Sequence, residues 1–285
     1  MQKKNESFFH CIRLLTEILK PHKGKYAMLK GALLCAMYPD GYRTSNDVDL
    51  LVRPSDVTDI GNTLTSAGFR QGSIVNGEFK QATRREIIES KMTRGETVPY
   101  ILEINLPYMK FLEVDINFSL DYKNSDIVEL ENLIDRTTEM TINSIKINTL
   151  QKNDFLIHLC GHLYKEASTF PWVKMKRDMT FYKFCDIYMM LSELTPLEID
   201  AFFKRAEELS MKDICSCVIA WTCELISIES DYALNLALDN LKVKENILYE
   251  VIDPSEHKVL QYYEPDIKKR FFCNDRTALL REVIR

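Results

Sequence analysis

Asn46-Asp47-Val48-Asp49-Leu50-Leu51-Val52 (NDVDLLV, residues 46–52) sets two carboxylates two positions apart inside an otherwise apolar run. Such a run predicts a strand, and alternate side chains of a strand share a face. Asp47 and Asp49 therefore project together, while Val48 and Leu50 point into a core. Two carboxylates held side by side repel, and one is driven toward protonation unless a cation sits between them. A divalent ion removes that conflict, and hard oxygen ligands suit magnesium or manganese. A half-exposed strand with both acids in water is the plain alternative.

A third acid on a neighbouring strand would complete a two-metal site. The segment FLEVDINFSL (residues 111–120) supplies it: Glu113, Asp115 and Asn117 alternate with Leu112, Val114, Ile116 and Phe118. Upstream, Tyr26–Lys30 is short and apolar and ends at Gly31, after which 32–37 has helical character. A glycine at such a junction lets phosphates approach backbone N–H groups at a helix start. Lys30 and Arg43 flank that side of the pattern and could neutralise phosphate, Arg43 by bidentate contact and Lys30 as a point charge.

Outward from this centre, the spacing predicts a helix over 6–20, the turn Pro39-Asp40-Gly41, and a helix from Pro54 to about Ala67 capped by Gly68. Strands are predicted at 69–75, 99–105 and 111–120, with 106–110 as a hairpin connection and a small hairpin turning at Asn143-Ser144. From Lys152 onward the pattern is helical, at about 152–166, 177–192, 196–209 and 212–227. The expected organisation is a mixed α/β unit over 1–150 and a helical unit over 151–285.

The 285 residues are 46% hydrophobic and 28% charged, enough apolar mass for real cores. A net charge of −5 gives no global attraction to nucleic acid or acidic membrane, so RNA is the less favoured partner. The eight cysteines show no CxxC pair, and no apolar stretch is long enough to span a membrane; a reduced cytoplasm is the expected setting.

Strand, Gly, helix, then DhDh on the next strand with a later Asp resembles the DNA polymerase beta-type nucleotidyltransferase superfamily. More narrowly, LKGALLCAMYPDGYRTSNDVDLLVRPSD (residues 29–56) looks like a group of bacterial, largely uncharacterised nucleotidyltransferases. Their pattern is LKG, an Arg, a DIDLLV-type strand ending in Arg-Pro, and a later VDxHW-like strand. VDINF (Val114–Phe118) matches the last with Asn117 in the histidine's place. HLCGHLYKEA (residues 158–167) and YKFCDIYMML (residues 182–191) also fit, so the resemblance spans roughly 26–192. The chain departs from the superfamily in having Ala32 where serine is common, and in a longer gap from Gly31 to Asp47.

The resemblance implies transfer of a nucleoside monophosphate from an NTP to an acceptor hydroxyl, with pyrophosphate released. Asp47, Asp49 and Asp115 would hold two Mg2+ ions (Mn2+ as a substitute), and Lys30, Gly31 and Arg43 would meet the phosphates. A small-molecule acceptor is favoured; an RNA end or protein hydroxyl, or a scaffold without catalysis, are the alternatives. His158, His162 and Lys165 share one helix face, with Asp154 a turn earlier. That face is expected to line the acceptor side, with His162 shaping the site and Lys165 reaching phosphate. His158-x3-His162 is also a usable zinc spacing, without a third ligand in view. Asp186 lies among apolar residues, where a carboxylate needs a partner. Glu113 shares the polar face of Asp115 and is a possible further ligand.

Overall fold

A computed structural model describes residues 1–93, 95–120, 127–226, 241 and 245–283. The chain divides into two compact units, Met1–Gln151 and Lys152–Arg285.

The first unit is built on a six-stranded mixed sheet. Its strands are β1 (Tyr26–Met28), β2 (Asp47–Val52), β3 (Arg70–Val75), β4 (Glu78–Gln81), β5 (Tyr100–Leu106) and β6 (Met109–Asn117). They lie in the order β1-β2-β6-β5-β3-β4. Only β2 and β6 pair in parallel; the other neighbours are antiparallel. Val48, Leu50, Val114 and Ile116 are fully buried, so the apolar half of each alternating strand packs into the core. Helix α1 (Gln2–Leu19) covers the sheet with Phe8, Ile12 and Leu15, all without solvent exposure. Helices α2 (Gly31–Met37) and α3 (Val57–Ser66) follow β1 and β2. A separate hairpin, β7 (Thr138–Ile142) and β8 (Ile145–Thr149), is tied to β1 by the buried Thr149 hydroxyl, which donates to the Met28 carbonyl at 2.7 Å.

Three elements of this unit went unread in the sequence: β4, the helix that follows it, and the later helix α5 (Ile127–Asp135). Strand β4 returns on β3 through Asn76-Gly77, whose φ angles of 53° and 78° fit the mirror-image two-residue turn that Asn-Gly favours. Helix α4 (Arg84–Thr93) follows. Thr83 and Glu86 cap it reciprocally: the Thr83 amide donates to Glu86 Oε2 at 2.7 Å, and the Glu86 amide to Thr83 Oγ1 at 3.3 Å. The β5–β6 connection is tighter than 106–110, since Leu106 already pairs with Met109. Strand β6 stops at Asn117 instead of running to Leu120.

The second unit gathers α6 (Lys152–Ala167), α8 (Phe181–Ser192), α9 (Pro196–Glu208) and α10 (Lys212–Leu225); the first unit's α5 is Ile127–Asp135. The short α7 (Phe170–Lys174) precedes α8, so the expected helix over 177–192 begins only at Phe181. A three-stranded antiparallel sheet, β9 (Glu250–Asp253), β10 (Lys258–Tyr262) and β11 (Leu280–Glu282), adds β structure to a unit expected to be helical. Its short strands carry little alternation, and Val251 and Tyr262 bury against Val173 of α7.

Candidate active site

The parallel pairing of β2 with β6 sets Asp47 beside Glu113, Asp49 beside Asp115 and Leu51 beside Asn117. Matched positions on neighbouring strands share a face. The acids of both strands therefore lie on one face in two adjacent rows. Asp47 is exposed at the strand's start, Asp49 is buried, and Asp115 lies between those extremes.

Charge compensation differs along the cluster. Lys30 Nζ sits 3.2 Å from Asp49 Oδ1, and the Asn117 amide approaches the same oxygen at 3.5 Å. Lys30 takes φ 46° and ψ −106°, a strained backbone for a non-glycine residue that bears on where its side chain goes. The Ser45 hydroxyl donates to Asp47 Oδ1 at 2.7 Å. Asp115 has no cation paired with it among the described residues. Burial pushes its carboxyl up to about 8, with Asp49, Asp47 and Glu96 adding repulsion and Lys30 only partly opposing them. Burial, then Asp47, also raises Glu113. Glu96, which sequence reasoning missed, reaches the cluster because its backbone bridges to Asn117; nothing in the local pattern at 94–98 marks that position.

Gly31 is buried at the head of α2, and a Cβ there would come within 2.7 Å of the Ser45 Cβ. Its lack of a side chain is therefore spent on letting the 43–46 loop close over α2. Arg43 lies in that loop with Nη1 on the Thr44 carbonyl at 2.5 Å.

A divalent cation is the group such a cluster suggests. Among the described residues, no three His, Cys, Asp or Glu side chains stand close enough together to hold a metal ion. The donors nevertheless fit in kind. They are hard carboxylate oxygens on one face, and the proton that Asp115 retains up to about pH 8 marks an excess of negative charge that a cation would relieve.

The family description "Uncharacterised nucleotidyltransferase" matches residues 1–226. The chain belongs to that family. No curated protein matches its sequence. Among solved structures, an antigenic nucleotidyltransferase-like protein from Paracoccidioides brasiliensis is 15% identical with a TM-score of 0.50, over 86% of this chain and 97% of that one. At that identity the likeness speaks for the fold. The antibiotic-resistance factor ANT(2'')-Ia is 10% identical with a TM-score of 0.41, over 73% of this chain and 96% of that one. The lincosamide antibiotic adenylyltransferase LnuA is 13% identical with a TM-score of 0.35, over 67% and 98%.

Within this nucleotidyltransferase, the first turns of the histidine face of α6 are buried, while His162 and Lys165 are half-buried. Asp154 and His158 are buried together with Phe155, Leu156, Leu159 and Leu163. Asp154 Oδ1 accepts from Arg205 Nε at 2.7 Å, and His162 Nε2 lies 3.2 Å from Glu166 Oε1. Lys183 pairs with the other Glu166 oxygen. The His158 and His162 rings stack with centroids 6.2 Å apart. Lys165 is half-buried in the last turn of α6, and Asp186 is buried on α8. Among the described residues, no helix is long and apolar enough to cross a membrane.

Proposed function

We propose that the chain transfers a nucleoside monophosphate from an NTP to a hydroxyl of a small molecule, using divalent metal held by Asp47, Asp49 and Asp115. The observation that carries this reading is the register that sets Asp49 beside Asp115 on parallel strands, with Lys30 against them. An acceptor oxygen attacks the α-phosphorus in line, the bond to the β-phosphate oxygen breaks, and pyrophosphate leaves. Mg2+ or Mn2+, when bound, would offset charge on both the attacking and the leaving oxygens. The chain's own residues position and neutralise. Asp115 would accept the acceptor's hydroxyl proton, directly or through the metal it helps to hold. Lys30 supplies a fixed positive charge on the phosphate side of Asp49. Ser45 fixes the Asp47 carboxylate. Neither His162 nor Lys165 is needed in this scheme.

The test is pyrophosphate release with each of the four NTPs against pooled small-molecule extract, with mass spectrometry for a product heavier by one nucleoside monophosphate. Release that requires divalent metal and disappears in Asp115→Asn supports the reading. Undiminished release by that variant, or none with any nucleotide, overturns it.

A further inference from the structure

Both acids of β2 take bonds from residues that border Gly31. Lys30 Nζ lies 3.2 Å from Asp49 Oδ1, in a pair whose side chains are 23% and 12% exposed. The Ser45 hydroxyl donates to Asp47 Oδ1, and its Oγ stands 2.8 Å from the point where a Gly31 Cβ would sit. Asp49 and Asp115 also border a cavity of about 470 Å³, closed by β3, β4, α4 and the segment through Glu96 and Thr97. Lys30 does not line that cavity. A divalent ion entering from it therefore meets a carboxylate whose Oδ1 already holds a positive charge, and the two cations repel.

The backbone of Lys30 is an independent observation. Its φ of 46° and ψ of −106° lie in a region that glycine adopts freely and lysine only under strain. Strain of this kind persists where the surroundings hold it, and it clusters at ligand clamps and switch regions. Here the strained residue carries the ammonium that meets Asp49. A glycine would suit the backbone and lose that charge, so the side chain is what the strain serves.

We propose that Lys30 is a counter-ion shared between Asp49 and the phosphates of an NTP, which makes metal and nucleotide binding mutually reinforcing. In this structure the ammonium neutralises Asp49 and so opposes a second cation there. A triphosphate on the same side offers the ammonium other anionic partners, and Asp49 is then free to ligate metal. The ammonium does not need to travel, because it already stands on the phosphate side; only its partner changes. Linkage makes the effect reciprocal: the factor by which nucleotide tightens metal binding is the factor by which metal tightens nucleotide binding. The proposal rests on the nucleotidyl-transfer reading and adds a rule of assembly to it, namely that metal by itself is disfavoured.

Calorimetry on the full chain measures Mn2+ binding without nucleotide, and binding of α,β-methylene NTP analogues at saturating Mg2+. Lys30→Met should bind Mn2+ about tenfold more tightly than wild type and the analogue about tenfold more weakly, within the usual range of coupling factors. A phosphate-binding lysine with no hold on Asp49 would move the second affinity alone, and a merely structural one would lower both. Lys30→Gly, which fits the same backbone, should repeat the pattern. Magnetic resonance of the lysine ammonium groups gives a direct readout. The signal lost in Lys30→Met should shift when Mg2+ is added to wild type, and shift again with the analogue. Unchanged or weaker Mn2+ binding by both variants, unchanged analogue binding, or a Lys30 signal that neither addition moves overturns the proposal. If wild type releases pyrophosphate while the variants keep its metal affinity, this inference alone falls. If the variants shift in opposite directions on the two probes and no NTP yields pyrophosphate, the transfer reading falls instead.

Discussion

Buried acids meet two different fates in this chain. In the second unit three of them meet a cation on a packed helix or loop: Asp154 meets Arg205 at 2.7 Å, Asp178 meets Arg276 at 2.7 Å, and Glu166 meets Lys183; Asp253 instead accepts from the Ser255 hydroxyl and amide. On β2 and β6, Lys30 pairs with Asp49, while Asp115 has Asp49, Asp47 and Glu96 around it and is driven up to about 8. Paired acids of the first kind are explained by the fold itself. A cluster that keeps its repulsion has no folding benefit, so its cost points to a ligand.

The largest effect that would break this contrast is on turnover. Asp49→Asn or Asp115→Asn should lower kcat about a thousandfold or more, since each removes part of a charge-stabilising site worth several kcal/mol. Circular dichroism and the unfolding midpoint should show the fold intact. Loss of fold in either variant would make these acids structural after all.

The converse change is Asp154→Ala, which removes the fully buried partner of Arg205, whose side chain is 11% exposed and keeps Glu208 at 3.1 Å. Denaturant unfolding should show a loss of roughly 3–5 kcal/mol, with nucleotide affinity of the folded protein unchanged. A wild-type unfolding curve would remove the structural half of the comparison.

A smaller effect concerns pH. Asp115 has a raised carboxyl, so the folded state holds a proton that the unfolded chain releases near pH 4. The unfolded state then binds fewer protons, and this group's contribution to stability falls as pH rises from about 4 to about 8. Metal-free protein should therefore lose unfolding temperature across that window. Asp115→Asn should flatten the loss, and saturating Mg2+ should oppose it. An identical slope in wild type and variant would show that Asp115 does not titrate as described.

The smallest effect is at Glu113, beside the exposed Asp47. Glu113→Gln should change kcat by less than about tenfold, or 1.4 kcal/mol. A loss as large as that of Asp115→Asn would add Glu113 to the metal-holding set.

The legible parts of this fold were those with strong local signals. Period-two alternation marks β2 and β6, and the Gly31 junction marks α2. The Asn76-Gly77 turn and the Thr83/Glu86 capping pair are equally local signals, and they announce β4 and α4 once looked for. The three-stranded sheet was hidden for a different reason. Strands of three to five residues with intermediate burial carry no clean pattern, and β11 pairs with β10 across a long stretch of intervening chain. Glu96 and Thr97 were hidden too, because nothing local distinguishes them from other polar residues in a loop.

By itself the sequence determined that Asp47 and Asp49 share a face, because strand geometry alone dictates alternation. It likewise separated Glu113 and Asp115 from the apolar positions between them. Only the tertiary structure decided that the two rows stand side by side, since strand order and register come from pairing between distant segments. The same long-range pairing brought Glu96 toward Asp115 and built the cavity wall from β3, β4 and α4. Local chemistry fixes which way a side chain points; which charges it must then live beside is settled by how the sheet assembles.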